Sequence, residues 1–313
     1  MINKVLNLNI LELINKSNIK NESIDCILAD PPYNIGKNFG DDSDMRSMNE
    51  YTEWVKKWLP DIQRVLSPSG TGFIYGFDEN LAHISVNLAL PHRWLTWYYT
   101  NKNASKGNFW QRSHESIIVF WKNKSQRIFN SDFVREPYTE VFLKNAAGKI
   151  RKGTAGRLSK YGLETVYTAH ALGAKGRDVI KIPALAGGSG SHERIFFCNT
   201  CNDVFMGKKK KHINHNLIEH PTQKPQALAE KLLKSCLPHT GNGCFCGNVL
   251  IPFAGSGSEC LCCKQLGVNF IAGDTNSEYV KYANMLLDKY GKADIVNDEI
   301  KNTIQKYEHC SST

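Results

Sequence analysis

The chain has 313 residues, 41% of them hydrophobic, so it is long enough to bury one full core together with a large insertion or a second small lobe. Its first residues, MINKVLNLNI, lack the charged start and continuous apolar run of a secretory signal. No later run approaches the roughly 18 apolar residues that span a bilayer. These features argue against a secreted or membrane protein and predict a cytoplasmic one.

The net charge of +9 is unevenly distributed along the chain. Between Asn101 and His220 there are 21 Lys and Arg against 9 Asp and Glu, which leaves 18 against 21 in the remainder. A basic excess confined to one segment is typical of proteins that bind a phosphate backbone. A solvated loop region in a basic protein would show the same excess, so charge alone leaves both interpretations open.

The first part of the chain, residues 1 to 123, alternates strand and helix patterns. The apolar run Ile24–Ala29 (IDCILA) predicts a buried strand, which Asp30 and two prolines end. Met48–Leu66 has apolar residues at helical spacing. Further strands are predicted over Thr71–Phe77, Trp94–Thr100 and Ser116–Trp121. The alternation predicts an α/β fold with a largely parallel sheet.

The middle part, residues 124 to 219, loses this rhythm. It contains a Gly- and Ser-rich turn at Ala186–Ser191, scattered Arg, Lys and aromatic residues, and the run Lys208–Lys211. Irregular structure with a basic excess indicates a recognition insert.

The α/β pattern resumes in residues 220 to 292, and residues 293 to 313 form a polar C-terminal tail. The predicted elements in this part are a helix over Gln226–Cys236, a strand over Asn248–Phe253, a helix over Cys260–Leu266, a strand over Asn269–Gly273 and a helix over Ser277–Tyr290. The segment therefore completes the α/β domain that the first part begins.

A glycine-rich turn follows one of these strands, in the sequence Phe253-Ala254-Gly255-Ser256-Gly257. A strand, a glycine turn and a helix place backbone N–H groups beside a ligand, and an acidic residue after the next strand, here Asp274, can bind ribose hydroxyls. Glycine turns after strands are common, so a plain connection explains this turn equally well. The absence of a G-x-x-x-x-G-K-[ST] loop argues against ATP.

The tetrapeptide Asp30-Pro31-Pro32-Tyr33 is a sharper signal. Two prolines after a strand fix an extended path, which holds the Asp30 carboxylate and the Pro31 carbonyl as acceptors for both hydrogens of one amino group. Tyr33 offers a flat face on which a flipped-out base can stack. The alternative is a proline-rich turn with an aromatic plug.

A third motif, His220-Pro221-Thr222-Gln223-Lys224-Pro225, lies at the entrance of the helix before the glycine turn. Proline at the start of a helix and polar residues beside its N-terminus suit an anion such as an amino-acid carboxylate.

Together DPPY, HPTQKP and FAGSG resemble the amino-methyltransferases of restriction–modification systems, and their order resembles the β group of that family. The resemblance covers residues 1 to 123 and 220 to 290. It implies a SAM-dependent, Rossmann-like mixed sheet with one antiparallel strand and an irregular target-recognition insert. It also implies site-specific methylation of adenine N6 in double-stranded DNA, since the family tends to place Ser where this chain has Asp30.

The resemblance assigns site residues one by one. Those implied for catalysis are Asp30, Pro31, Pro32 and Tyr33, with Asn34 at the edge of the turn. Those implied for SAM are Asn9 on the adenine, Thr222 and Lys224 near the carboxylate, Phe253, Gly255, Ser256 and Gly257 along the cofactor, Asp274 on the ribose, and Asp30 with no particular contact assigned. Two positions depart from the family pattern: Ile251 stands where a carboxylate near the SAM methionine is usual, and Ser258 where Thr is usual.

Three alternatives remain beside adenine methylation. They are N4-cytosine methylation, a nucleic-acid-binding protein with a degenerate SAM site, and RNA as the substrate. A cognate restriction endonuclease and a second copy of the chain are candidate partners, and DNA binding would associate the protein with the nucleoid. The target sequence cannot be read from an irregular insert.

Most of the ten cysteines lie between Cys198 and Cys263, which indicates metal binding or local packing more than disulfides. The C-x-x-C pair Cys198 and Cys201 and the close pair Cys244 and Cys246 predict a closed structural zinc site. Free buried cysteines are the alternative. Residues that could replace one of these ligands are Cys236, His212, His215 and His239, whereas Cys260, Cys262 and Cys263 are interpreted as core.

Overall fold

A computed structural model describes residues 2–37, 39, 44–101, 108, 110–152, 164–186, 192–240 and 243–291. The chain divides into two compact units, of which the first comprises residues 1–129 and 178–313 and the second Asn130–Arg177. The insert predicted over 124–219 therefore contains the whole second unit and part of the first. The predicted tail and residues 187–191 of the glycine–serine turn lie outside the described residues.

Helices and strands alternate through most of the first and last parts of the chain. The helices are α1 (Ile10–Lys16), α2 (Met48–Val65), α3 (Asp78–Asn87), α4 (Glu140–Asn145), α5 (Gln226–Cys236), α6 (Ser258–Gln265) and α7 (Ser277–Tyr290). The strands are β1 (Val5–Asn7), β2 (Ile24–Ala29), β3 (Leu66–Gly76), β4 (His92–Tyr98), β5 (His114–Trp121), β6 (Ile150–Lys152), β7 (Glu164–Val166), β8 (Val179–Lys181), β9 (Ile195–Cys198), β10 (Asp203–Met206), β11 (Leu217–Glu219), β12 (Asn248–Ile251) and β13 (Asn269–Asp274).

The first unit is built on an eight-stranded sheet in the order β1-β13-β12-β2-β3-β5-β4-β8. Neighbouring strands pair in parallel except where β5 meets β3 and β4, so β5 alone runs against the other seven. The predicted mixed sheet with one antiparallel strand is confirmed. Because β5 is reversed, its first residues lie at the carboxyl edge of β3, where Ser116 pairs with Gly76.

Alternate residues of β2 enter two hydrophobic clusters on opposite faces of this sheet. Cys26 and Leu28 belong to a cluster that contains residues of α5, α6 and α7, whereas Ile27 and Ala29 belong to one that contains residues of α1, α2 and α3. A strand that is buried on both faces has a nearly continuous apolar sequence, so IDCILA can be identified as a strand from the sequence alone. The result is a sheet between two layers of helices.

The predicted elements agree closely with the structure in the first and last parts of the chain. The bounds of β2, α5 and α7 are those predicted, and α2 ends one residue earlier than predicted. A capping box of Ser47 and Glu50 begins α2. Strand β3 begins at Leu66, directly after this helix, and therefore five residues before the predicted start at Thr71.

Two smaller sheets accompany the large one. Strands β10, β9 and β11 form an antiparallel sheet within the first unit, and β6 and β7 pair within the second. None of the described helices has the length and apolar character that crossing a membrane requires.

Candidate active site

The three sequence motifs meet at one cavity of about 390 Å³ along the carboxyl edge of the parallel strands. Strand β2 ends before Asp30, β12 ends before Phe253 and β13 ends at Asp274. The predicted site residues that line the cavity are Asn9, Asp30, Pro32, Thr222, Lys224, Phe253, Gly255, Ser256 and Asp274. Ligands of open α/β sheets bind at this edge of the strands.

The turn after β12 requires glycine at two positions. Gly255 and Gly257 have φ angles of +49° and +79°, a region that other residues rarely occupy. A Cβ on Gly255 would lie 2.8 Å from His220 Nε2, so the HPTQKP segment packs directly on this turn. The Gly255 N–H donates to Asp274 Oδ2 at 2.8 Å, which ties the turn to the end of β13.

A buried network of charges joins the DPPY turn to the HPTQKP segment. Lys224 Nζ lies 2.8 Å from Asp30 Oδ2 and 3.6 Å from Glu115 Oε2, and the Lys224 side chain is only 3% exposed. Glu115 also accepts hydrogen bonds from the hydroxyls of Tyr33 at 3.0 Å and Tyr99 at 3.2 Å. Lys224 thus lines the cavity while its ammonium group is held between two carboxylates.

Burial and pairing act in opposite directions on these ionisable groups. Burial raises the pKa of Asp30, and the Lys224 charge offsets part of that rise. Burial would lower the pKa of Lys224, but the Asp30 and Glu115 carboxylates raise it, so the ammonium stays charged. Asp30 Oδ1 has no hydrogen-bond partner among the residues that the structure describes. A buried acceptor of this kind suits a substrate N–H group.

Tyr33 is 8% exposed, and it does not contribute to the wall of the cavity. Its ring packs edge-on against Phe77, with centroids 5.0 Å apart, and Lys224 Nζ lies 4.9 Å from the ring centroid. The Asn80 side chain donates to the Tyr33 carbonyl. Base stacking by Tyr33 remains a prediction, and it requires DNA binding to uncover one face of the ring.

The loop after DPPY is fixed by a carboxylate that sequence reasoning missed. Asp44 is fully buried and accepts hydrogen bonds from the backbone N–H groups of Asn34, Ile35 and Lys37. Asn34 has a φ of +56°, which places it in the left-handed region. Its side chain exchanges two hydrogen bonds with the backbone of Arg46, so the edge of the DPPY turn is held from both sides.

His220 lies beside the cavity as a neutral ring. It contacts Phe39, with ring centroids 5.6 Å apart, and Tyr279, with centroids 4.9 Å apart. Burial, together with the nearby Lys224 charge, lowers the pKa of His220 to about 3. His220 therefore packs the glycine turn and is not a proton donor near neutral pH.

Glu259 is a second carboxylate that the motifs did not reveal. It lies in the first turn of α6, is 6% exposed, lines the cavity and accepts a 2.7 Å hydrogen bond from Ser258 Oγ. Burial, and then the Asp30 charge, raises the pKa of Glu259 to about 7. Ile251, where the family pattern has a carboxylate, is buried in β12 and does not line the cavity.

We expect Glu259→Gln to stabilise the ligand-free protein more at about pH 8 than at about pH 5. The pKa of Glu259 is higher in the folded protein than in the unfolded chain. Ionisation of Glu259 therefore lowers the free energy of unfolding as pH rises from about 4.5 to about 7. Gln cannot ionise, so the variant does not lose this stability. The stabilisation at pH 8 should exceed that at pH 5 by on the order of 2–3 kcal/mol in the free energy of unfolding, measured with denaturant.

The matched control is Glu230→Gln, which makes the same change at an exposed position on α5. Its effect on the free energy of unfolding should differ between pH 8 and pH 5 by less than about 0.5 kcal/mol. A Glu259→Gln effect as small as that of the control would contradict the buried, proton-sensitive carboxylate.

The cysteines are not arranged as the sequence suggested. Cys198 and Cys201 come together with His212 and His215, and not with Cys244 and Cys246. The turn after α5 holds the latter pair separately, because the Cys246 N–H donates to Pro238 O and Cys244 O accepts from the Thr240 N–H, each at 2.9 Å. The cysteines interpreted as core, Cys260, Cys262 and Cys263, are buried in α6.

The sheet with one reversed strand, the glycine turn and the acidic residue at the end of β13 are the features of an α/β methyltransferase. The chain belongs to the DNA methylase family N6_N4_Mtase, whose sequence model matches residues 24–285. This match spans all three motifs and confirms the predicted family. The protein is therefore a DNA methyltransferase of the N6/N4 type.

Individual known proteins agree with this assignment. The Type II methyltransferase M.HpaI of Haemophilus parainfluenzae is 29% identical over 290 residues, which cover 91% of this chain and 74% of the relative. The crystal structure of the M1.HpyAVI–SAM complex matches with a TM-score of 0.50 and 21% identity over 91% of this chain and 98% of that one. The cytosine-N4-specific PvuII DNA methyltransferase matches with a TM-score of 0.53 and 14% identity over 93% and 88%. The predicted SAM-dependent methyltransferase fold is thereby confirmed.

Proposed function

We propose that this protein transfers a methyl group from SAM to the N6 atom of a flipped-out adenine at a specific site in double-stranded DNA. The observation that carries the proposal is the Asp30 carboxylate, which lines the cavity with one oxygen held by Lys224 and the other without a partner among the described residues. The Type II methyltransferases among the relatives support a role in restriction–modification, and a cognate endonuclease is part of this proposal.

The cavity fits SAM in size and in chemistry. Its volume of about 390 Å³ lies in the range of roughly 300–1,000 Å³ typical of small-molecule sites. The Asp274 carboxylate lines the cavity, where its two oxygens accept the N–H groups of Gly255 and Asn276, and we assign to it the contact with the ribose hydroxyls. When bound, SAM supplies the electrophilic methyl group.

The positive charge of SAM also has matching groups in this cavity. Asp30, Glu259 and Asp274 are carboxylates in its lining. We infer that Glu259 takes the place of the carboxylate that the family pattern has at the position of Ile251. Because burial raises the pKa of Glu259 to about 7, a cation beside it would favour release of its proton.

The residues of the DPPY turn act on the adenine amino group. The lone pair of an exocyclic amine is delocalised into the ring, so N6 is a poor nucleophile until its hydrogens are held in a geometry that favours a tetrahedral nitrogen. Asp30 Oδ1 and the Pro31 carbonyl accept those two hydrogens. As the methyl group is transferred, positive charge grows on N6, and the fixed Asp30 carboxylate stabilises it without reorganisation. The excess proton then leaves N6 toward Asp30.

Lys224 is a positioning residue in this mechanism. Its ammonium fixes one Asp30 oxygen and opposes the rise in the Asp30 pKa that burial causes, which favours the ionised carboxylate. Glu115 balances the Lys224 charge from the other side. The transfer needs no covalent enzyme intermediate, and DPPY contains no nucleophilic cysteine.

We expect Asp30→Ala and Asp30→Asn to lower the rate of methyl transfer by on the order of 100-fold or more, because each removes the carboxylate from the reacting amine. SAM binding, measured by calorimetry, should weaken but persist, because Glu259 and Asp274 remain in the cavity lining. The rate is measured with radiolabelled SAM on genomic DNA that lacks methylation, and the methylated nucleoside is identified by mass spectrometry after digestion. The wild-type product should be N6-methyldeoxyadenosine.

Asp25→Asn serves as the control, since Asp25 lies on β2, the strand that Asp30 follows, outside the cavity, and accepts from the Asn248 N–H. It should retain most of the activity. Transfer at nearly the parent rate by Asp30→Ala would rule out this site. A wild-type product of N4-methyldeoxycytidine would show that the target base is cytosine and not adenine, and it would leave the methyltransferase assignment intact. Failure to bind SAM would favour a nucleic-acid-binding protein with a degenerate site, and activity on RNA alone would change the substrate class.

DNA binding is proposed to involve the basic run Lys208–Lys211. Replacing these four lysines with alanine should weaken binding to every DNA sequence and reduce the salt dependence of affinity, since each lost phosphate contact lowers the slope by about 0.9. Affinity is measured by fluorescence anisotropy over a range of salt concentrations. The 3₁₀ turn Lys209–His212 overlaps this run, and the half-exposed Lys209 side chain has its Nζ 3.6 Å from Glu219 Oε2 and 4.5 Å from the Phe196 ring centroid.

The control replaces four exposed lysines from the N-terminal part of the chain with alanine, namely Lys4, Lys16, Lys20 and Lys56. The same loss of net charge there should affect affinity much less. Equal effects of the two replacements would show that the run acts only through overall charge.

A further inference from the structure

Four potential metal ligands converge at one end of the small sheet β10-β9-β11. Cys198 ends β9, Cys201 lies in the turn before β10, His212 ends the 3₁₀ turn and His215 precedes β11. Their ligand atoms all lie within 4.8 Å of one another. We call these four residues the Cys2His2 cluster. The sequence spacing, C-x2-C-x10-H-x2-H, has the form of two short chelating pairs separated by a hairpin.

The distances within the Cys2His2 cluster match the edges of a zinc tetrahedron. Zn–S bonds of about 2.3 Å and Zn–N bonds of about 2.0–2.1 Å place two nitrogens roughly 3.3 Å apart and a sulfur and a nitrogen roughly 3.6 Å apart. The two histidine Nδ1 atoms are 3.3 Å apart. Three of the four sulfur–nitrogen distances are 3.3 Å from Cys198 to His215, 3.2 Å from Cys201 to His215 and 3.7 Å from Cys201 to His212.

Hydrogen bonding among the four side chains explains this geometry less well than a metal does. The Nδ1 atom of His215 lies within 3.3 Å of three other ligand atoms, and a neutral imidazole nitrogen either donates one proton or accepts. A cation bound between the two sulfurs and the two nitrogens accepts a lone pair from each of them, which accounts for their close approach. We propose that the Cys2His2 cluster binds one Zn²⁺ as a structural site, with no open coordination position.

The site has a mechanical role because the small sheet supports the HPTQKP segment. Its three strands have only three or four residues each, and one face buries a cluster of just Phe196, Cys198 and Phe205 with Leu217 packed against it. The other face packs on the main core through Ile195, Phe197 and Val204. The outer face has little core of its own, and a metal that joins the β9 turn to the approach of β11 would fix that face.

Strand β9 also contacts the HPTQKP segment directly. The Gln223 side chain accepts from the Ile195 N–H at 3.0 Å and donates to the Glu193 carbonyl at 2.8 Å. Gln223 immediately precedes Lys224, and β11 leads directly into His220. The zinc site thus holds the sheet on which the positioning lysine depends. This inference concerns metal content and stability, so it stands independently of the proposed reaction.

Elemental analysis of the full chain, purified without chelators or an affinity tag that binds metal, should find about one zinc per chain. Cys201→Ser and His212→Ala should each reduce this to less than about a tenth. The double variant Cys244→Ser, Cys246→Ser is the matched control and should retain about one zinc. Wild-type protein without zinc, or loss of zinc in the control but not in Cys201→Ser, would overturn the proposed ligand set.

Two further measurements on the wild-type protein avoid any dependence on how well the variants fold. Replacement of zinc by Co²⁺ should give the visible ligand-field bands of a tetrahedral site and a thiolate-to-cobalt charge-transfer band. Removal of zinc with a chelator should lower the midpoint of thermal unfolding by about 5 °C or more. Octahedral cobalt spectra without thiolate bands, or an unchanged midpoint after complete zinc removal, would contradict a closed structural site.

Discussion

The Lys224 ammonium lies buried between the Asp30 and Glu115 carboxylates, and the arrangement of the active site depends on this contact. Burying three charges is unfavourable unless each finds partners, and removing one partner leaves the others uncompensated. The three residues come from the end of β2, the start of β5 and the segment before α5. The interaction therefore fixes the DPPY turn against HPTQKP and leaves one Asp30 oxygen without a hydrogen-bond partner among the described residues.

The order and directions of the strands make this contact geometrically feasible. Residues that follow parallel strands collect at one edge of a sheet, which accounts for Asp30, Phe253 and Asp274. Glu115 is the second residue of β5 and would lie at the opposite edge if that strand were parallel. Reversal of β5 brings Glu115 to the cavity side. The single antiparallel strand thus supplies the counter-charge for Lys224.

Local patterns predict much of the fold, whereas contacts between distant residues are beyond a single sequence. IDCILA and the apolar spacing in α2 identify their elements because burial imposes those patterns directly. The sequence motif predicts Lys224 near the SAM carboxylate. Nothing in HPTQKP indicates that its ammonium pairs with Asp30, 194 residues earlier in the chain. Glu259 resembles any acidic residue in the first turn of a helix. The spacing of His212 and His215 behind C-x-x-C is a readable signal, but the second cysteine pair offers a competing ligand set.

A double-mutant cycle on Lys224→Met and Asp30→Asn tests the central claim most directly, with the free energy of unfolding as the measured quantity. Each single change should destabilise the protein by about 3–5 kcal/mol, because it leaves a buried charge without its partner. The double variant should then be at least about 1 kcal/mol more stable than the sum of the two single effects predicts. Effects that add to within about 0.5 kcal/mol would show that the two side chains do not interact and would contradict the account.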